Sequence, residues 1–280
     1  SPAIWERVAD YCLKETIKLP SIRHLVMFGA PVDVKLHEKY ARILLNGTTY
    51  TPYGATECLP VSCISGSQIL KETKEKTQSG AGTCIGKLAP NVEVKIIAVS
   101  DKAISAISEI NELEINQIGE IIVKSDAVTP EYYQMPEETN LAKITDENSL
   151  WHRMGDLGYF DRDGRLWFCG RKTHLVPVAE RILYSDPIES IFNQHQDIRR
   201  SALIKVGAKA ALAVERVDKR LRLEEEEFKK FIQELKTLAQ KNKDAQVIED
   251  FYLRKSFPVD GRHNIKIDRH KLAQLIEASL

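Results

Sequence analysis

At 280 residues the chain is too long for one small core and fits two or three compact units. Apolar residues make up 43% and charged residues 29%, and 40 Lys plus Arg against 40 Asp plus Glu leave no net field to attract nucleic acid or an anionic membrane. No apolar run is long enough for a transmembrane segment. In chain order, the opening SPAIWERVADYC reads as an amphipathic helix in mid-domain. It is not a signal peptide, because charged residues interrupt it. IRHLVMFGAPV follows as a short strand ending in Gly29-Ala30-Pro31, then a helix over VKLHEKYARIL and a turn at Asn46-Gly47. Strand, glycine turn and helix form one unit of a wound sheet. The next stretch, YTPYGATECLP, shows neither a helical stripe nor a buried-strand pattern and reads as a glycine-hinged loop.

Beyond this the pattern changes. VEVKIIAV, GEIIVKS and GRLWFCG are short β-branched or alternating runs between turn residues, with a tight hairpin turn at DRDG, residues 161–164. ALIKV and AALAVERV read as two further strands. The clearest helix is LEEEEFKKFIQELKTLAQKNK, with Phe228, Phe231, Ile232, Leu235 and Leu238 as its packing stripe. DFYLRKSFP is a strand, and DRHKLAQLIEASL is a final helix. The expected fold class is α/β plus α+β. Its parts are a partial wound α/β subdomain over 1–81, a β-rich barrel-like subdomain over 82–171, and a small α+β domain over 172–280. The five cysteines, at 12, 58, 63, 84 and 169, include no C-x-x-C pair, so reduced thiols in a cytoplasm are expected, without a disulfide framework or zinc site.

YGATE by itself is a polar loop. It stands in fixed order with GTCIGKLAP at 82–90, WHRMGDLGYFDRDGRLWFCGR at 151–171 and a lysine in GRHNIKIDR. Together these motifs resemble the adenylate-forming enzymes: acyl-CoA synthetases, luciferases, fatty acyl-AMP ligases and peptide-synthetase adenylation domains. The resemblance covers essentially the whole chain and implies the C-terminal portion of such an enzyme, with ATP and Mg²⁺ as cofactors. Tyr53 would stack on adenine, and Gly54 and Ala55 would let the backbone approach it. Gly29, Ala30 and Pro31 would form the opposite wall. Thr56 would bond the α-phosphate, and Glu57 would hold Mg²⁺ through oxygen. Asp156 would take both ribose hydroxyls on its two acceptor oxygens, with Arg171 as a second ribose contact.

The resemblance further implies a mobile C-terminal domain pivoting at Thr173, where Asp or Lys is usual. Lys266 would be the catalytic lysine, although Ile265 stands where the family has glycine. Arg262 and His263 are weaker candidates for pyrophosphate or acyl contacts. Glu180 aligns with a glycine that lines the pantetheine tunnel of thioester-forming members, and a glutamate there would crowd that tunnel. YGATE-LPVS, WHRMGDLGY, CGRK-H-V and FPVD-RHN-KI are most similar to the olefin β-lactone synthetase branch. That branch implies a long-chain β-hydroxy fatty acid activated as acyl-AMP and closed by its own hydroxyl. Thiolase-like, reductase-like and hydrolase-like enzymes would be its pathway partners. An ordinary acyl-AMP or acyl-CoA ligase, a peptide-synthetase adenylation domain and a nucleotide-binding relic without turnover are the alternatives. The family's phosphate loop lies upstream of these motifs, so the 280-residue chain alone is expected to have little adenylating activity.

Overall fold

A computed structural model describes residues 1–218, 223–259 and 266–280. Its contacts divide the chain into two compact units. The first comprises residues 1–74 and 84–168, and the second comprises 75–83 and 169–280. The strands are β1 His24–Val26, β2 Thr48–Ala55, β3 Cys58–Ser65, β4 Thr83–Leu88, β5 Glu93–Ile97, β6 Gly119–Lys124, β7 Lys143–Asp146, β8 Ser149–Phe160 and β9 Leu166–Arg171. They continue with β10 Val176–Val178, β11 Arg181–Leu183, β12 Ile198–Val206, β13 Lys209–Arg216 and β14 Asp250–Arg254.

One sheet runs β1-β2-β3-β4-β9-β8-β6-β5, with β7 paired to β8. It therefore joins the segments that the sequence pattern separates at residue 81. The link is β3 to β4, where Ser62 pairs with Leu88 and Cys63 with Lys87. Alternation in a strand shows that it pairs but not with which partner. At the β1 end the sheet is parallel and backed by two helices. Leu25 and Met27 pack with Ala9 and Cys12 of the helix Pro2–Lys14 and with Leu36, Tyr40 and Ile43 of the helix Val34–Ile43. Further along, Cys58, Val61, Ile96, Ile121, Val123, Met154 and Leu166 make a second core.

The stretch 50–60 is a hairpin, which corrects the loop expectation. Tyr50 pairs with Ser65, Tyr53 with Ser62 and Ala55 with Cys58. Pro52 is tolerated because β1 pairs with β2 only as far as Tyr50, so Pro52 lies on a free edge where its missing N–H costs no ladder bond. A register shift between Tyr53 and Ala55 places a bulge at Gly54, and this irregularity hides the strand period in the sequence.

The second unit has a three-stranded sheet, β12-β13-β14, antiparallel then parallel. The helix Ser185–Asn193 contributes Ile188, Ile191 and Phe192 to its core, and the helix Glu225–Ala239 contributes Phe231, Leu235 and Ala239. Phe228, at the start of the expected stripe, is exposed.

Candidate functional site

Two chain segments lie just beyond the parallel pairing of β1 with β2, at the same level. Val26 pairs with Tyr50, so Gly29-Ala30-Pro31 and Tyr53-Gly54-Ala55 each follow that pair by three to five residues along parallel neighbours. Ligands of open parallel sheets bind at the carboxyl ends of strands, and both segments lie there. Gly29 has φ +91°, a left-handed conformation that suits glycine, and open space surrounds it. At Gly54 the reason for glycine is steric. A Cβ there would lie 2.6 Å from the Cys58 carbonyl oxygen.

The hairpin closes with a two-residue turn, Thr56-Glu57, between the paired Ala55 and Cys58. Thr56 is exposed and Glu57 is half-buried. The Tyr132 hydroxyl donates to Glu57 Oε1 at 2.8 Å, and the Thr129 N–H donates to the Glu57 carbonyl at 2.9 Å. Lys143 Nζ donates to Thr129 Oγ1 at 3.3 Å and lies 5.9 Å from the Tyr132 ring centre. Burial raises the Glu57 carboxyl, but the Tyr132 hydrogen bond, its own backbone amide, His152 and Lys143 outweigh this and hold it below the usual carboxylate range. Burial also pushes the Tyr132 phenol up to about 12, reinforced by Glu57, and lowers the Lys143 ammonium against the pull of Glu57 and Cys58. His152 is lowered to about 4 by burial and by Lys143. At neutral pH this pocket therefore holds an ionised carboxylate, a neutral phenol and a neutral imidazole. Sequence reasoning missed Thr129, Tyr132 and Lys143. They lie more than 70 residues from Glu57, and no spacing rule connects them to it.

Asp156 lies on β8 and is buried. The Tyr53 hydroxyl donates to its Oδ2 at 2.7 Å, so the expected adenine-side ring and the expected ribose carboxylate are in direct contact. A carboxylate has two acceptor oxygens with two lone pairs each, so it can take more than one hydroxyl group at once. The Tyr53 ring also packs tilted against Phe168, 6.3 Å between centres. β8 is held in place by Arg153, whose guanidinium makes two bonds to the buried Glu120 at 3.1 and 2.6 Å.

The other expected residues belong to the second unit. Arg171 is exposed at the end of β9, and Thr173 is exposed in the single helical turn Lys172–His174. β10 and β11 join through a two-residue turn, Ala179-Glu180. Glu180 is exposed at the tip, and the left-handed residue of that turn is Ala179, with φ +50°. Lys266 immediately precedes a bridge between Val259 and Ile267, and the Asp268 N–H donates to the Pro258 carbonyl at 3.0 Å. Asp268 then caps the helix Arg269–Glu277 by accepting from the Lys271 N–H at 2.9 Å. The backbone on the C-terminal side of Lys266 is thus fixed by sheet-like and capping bonds. Arg262 and His263 lie outside the described residues.

Among the described residues, no three His, Cys, Asp or Glu side chains converge on a metal position, and no helix is long and apolar enough to cross a membrane. A single oxygen ligand such as Glu57 suits Mg²⁺, which is commonly bound by one or two carboxylates plus substrate phosphates.

A family model described as AMP-binding enzyme matches residues 1–133. The chain is 40% identical over 280 residues to an olefin beta-lactone synthetase of Xanthomonas campestris pv. campestris, covering 98% of the chain and 50% of that protein. Among solved structures it matches an amide bond synthetase from Marinactinospora thermotolerans with a TM-score of 0.76 at 22% identity, over 98% of this chain and 51% of that one. It also matches the O-succinylbenzoate coenzyme A synthetase of Bacillus subtilis, solved in complex with ATP and magnesium ion. There the TM-score is 0.69 at 20% identity, over 94% of this chain and 49% of that one. The chain spans about half the length of the curated relatives it matches. Residues 1–133 thus carry the AMP-binding enzyme domain, and the similarity to an enzyme of the adenylate-forming kind continues along the whole chain.

Proposed function

We propose that this chain supplies the nucleotide-binding hairpin and the catalytic lysine of an enzyme that activates a long-chain β-hydroxy fatty acid with ATP and closes it to a β-lactone. The identity to an olefin beta-lactone synthetase along the whole chain carries this reading. The Tyr53–Asp156 contact supports it, because it joins two of the residues assigned to the nucleoside. In the first step a carboxylate oxygen attacks the α-phosphorus of ATP, forming acyl-AMP and expelling pyrophosphate. In the second, the substrate's β-hydroxyl oxygen attacks the acyl carbon, the bond from that carbon to the AMP oxygen breaks, and the hydroxyl proton is released. An attached nucleophile has a high effective molarity, so no thiol is needed.

Tyr53, Gly54, Ala55 and the Gly29-Ala30-Pro31 turn bind the base in this reading. Asp156 and Arg171 hold the ribose, and Thr56 bonds the α-phosphate. Glu57 is the protein ligand for Mg²⁺, which neutralises developing phosphate charge. Lys266 supplies a compact ammonium for the adenylation step, and its removal should cost on the order of 10²–10³ in rate. Thr173 is the pivot of the second unit.

The test uses the chain in its native full-length context with Mg-ATP and a long-chain β-hydroxy acid, with and without coenzyme A. A CoA-independent product one water lighter than the acid, bearing a four-membered lactone carbonyl, is expected. An acyl-CoA, or an acyl-AMP that accumulates until a thiol is supplied, would assign the protein to the thioester-forming ligases instead. No ATP–pyrophosphate exchange with any acid would remove the adenylation reading.

A further inference from the structure

We propose that Thr129, Tyr132 and Lys143 form a clamp that positions the Glu57 carboxylate, and that this clamp sets the protein's affinity for a divalent metal–nucleotide complex. The inference rests on the reading of Glu57 as the metal ligand.

Glu57 occupies the tip of a two-residue hairpin turn, where chains are usually least ordered. A glutamate there would sweep a wide arc, whereas a metal ligand must be held to a fraction of an ångström. One four-residue stretch grips this glutamate at both ends. The Thr129 N–H takes its backbone carbonyl at 2.9 Å, and the Tyr132 hydroxyl takes Oε1 at 2.8 Å. The stretch is itself anchored. The Tyr132 N–H donates to Thr139 Oγ1 at 3.0 Å, and that hydroxyl donates to the Met135 carbonyl at 2.7 Å, within the helix entry. Lys143 completes the bracket. It is 8% exposed, bonds the Thr129 hydroxyl and lies over the Tyr132 ring, and its backbone is fixed by pairing with His152 of β8. Burying an ammonium is costly unless nearby carboxylate, hydroxyl and ring groups compensate it. Tyr132 donates to Oε1, and the carboxylate's remaining lone pairs are the ones assigned to a cation. The clamp residues are therefore positioning residues, and Glu57 alone would touch the metal.

The experiment titrates Mn²⁺·ATP onto the full chain and follows free Mn²⁺ by electron paramagnetic resonance. ATP binding in EDTA is measured in parallel. Wild type is compared with Tyr132→Phe, Glu57→Gln, the double variant and Lys143→Met. Tyr132→Phe removes one oxygen and should weaken Mn²⁺·ATP binding by about 10- to 100-fold, the usual effect of losing a residue that orients a metal ligand. Metal-free ATP binding should be unchanged. The double variant should be no weaker than Glu57→Gln, because the hydroxyl acts only through that carboxylate. Lys143→Met reads the same clamp from its other side and should weaken Mn²⁺·ATP binding with metal-free ATP unchanged. If Glu57→Gln weakens Mn²⁺·ATP while Tyr132→Phe and Lys143→Met match wild type, the clamp is wrong and the metal reading stands. If Tyr132→Phe weakens metal-free ATP equally, Tyr132 is only structural and the clamp is likewise wrong. If wild type fails to bind Mn²⁺·ATP, or Glu57→Gln binds it as wild type does, the metal reading fails and the clamp fails with it.

Discussion

Replacing Arg153 by methionine should destabilise the first unit more than almost any other single change. The Arg153 and Glu120 side chains are 4% and 2% exposed. Besides its two bonds to Glu120, the guanidinium donates to the carbonyls of Lys102 at 2.8 Å and Leu141 at 3.1 Å, and to that of Ser100. Methionine fills similar volume but leaves the Glu120 carboxylate buried without its cation. Removing one partner of a buried pair costs about 3–5 kcal/mol. For a unit of this size each kcal/mol moves the melting temperature by about 2–4 °C, so the transition should fall by roughly 6–20 °C. The assay is thermal and denaturant unfolding followed by tryptophan fluorescence, because all three tryptophans, Trp5, Trp151 and Trp167, lie in this unit. The Arg153→Met/Glu120→Leu double variant should recover part of the loss, since it removes the stranded charge as well. A single variant within about 1 kcal/mol of wild type, or a double variant no better than the single, would refute the charge argument and leave only packing.

Three further outcomes are expected. Gly54→Ala forces a Cβ to within 2.6 Å of the Cys58 carbonyl oxygen and 2.7 Å of Leu59 Cδ1, so it should cost about 1–3 kcal/mol and weaken nucleotide binding; wild-type unfolding and binding would show that the bulge relaxes freely. Burial lowers His37 to about 4, so the unfolded chain takes up the proton first as pH falls, and stability should drop from about pH 6.5 to 4 by up to about 1.4 kcal/mol per pH unit. His37→Gln should flatten that slope in denaturant melts, and an unchanged slope would assign it to other groups. Asp186 has the opposite sign. Burial raises it to about 7, so its contribution is present at low pH and lost as pH rises from about 3.8 through 7. Asp186→Asn should therefore gain stability relative to wild type above pH 7 but not below pH 4, read as hydrogen exchange in the helix Ser185–Asn193, and equal effects at both pH values would contradict the burial argument.

What the sequence revealed depended on how local the cause was. The helix Glu225–Ala239 was legible because Phe231, Ile232, Leu235 and Leu238 recur at helical spacing, and these four do pack into the core, whatever lies beneath them. The hairpin turn at 161–164 was legible because Asp161 makes its bonds at short range, accepting from the N–H groups of Asp163 and Arg165 at 2.9 Å each, while Gly164 takes φ +70°. β2 was not legible, since Pro52 and Gly54 are strand breakers unless the strand is unpaired on one side and bulged, and only the sheet supplies both conditions. The Tyr53–Asp156 bond spans 103 residues and the Tyr132–Glu57 bond 75. Resemblance could assign a role to three of those four residues, but pattern alone could not pair any of them.

β8 shows why a functional motif can be mostly scaffold. From Trp151 to Leu157 every residue except Gly155 is buried, so both faces of the strand are covered and the alternation expected of a half-exposed strand is lost. Trp151 packs with Ile97, Ile122 and Ile144, while Met154 packs with Val61, Ile121 and Leu166. His152 lies beside the clamp around Glu57, through its pairing with Lys143, and Arg153 is committed to Glu120. Asp156 therefore inherits its position from four neighbours with other tasks. Its bond to the hairpin tyrosine then ties that position to β2. A variant that preserves Asp156 but loosens β8 should impair nucleotide binding nearly as much as removing the carboxylate. For that reason the Arg153→Met variant tests the site as well as the fold.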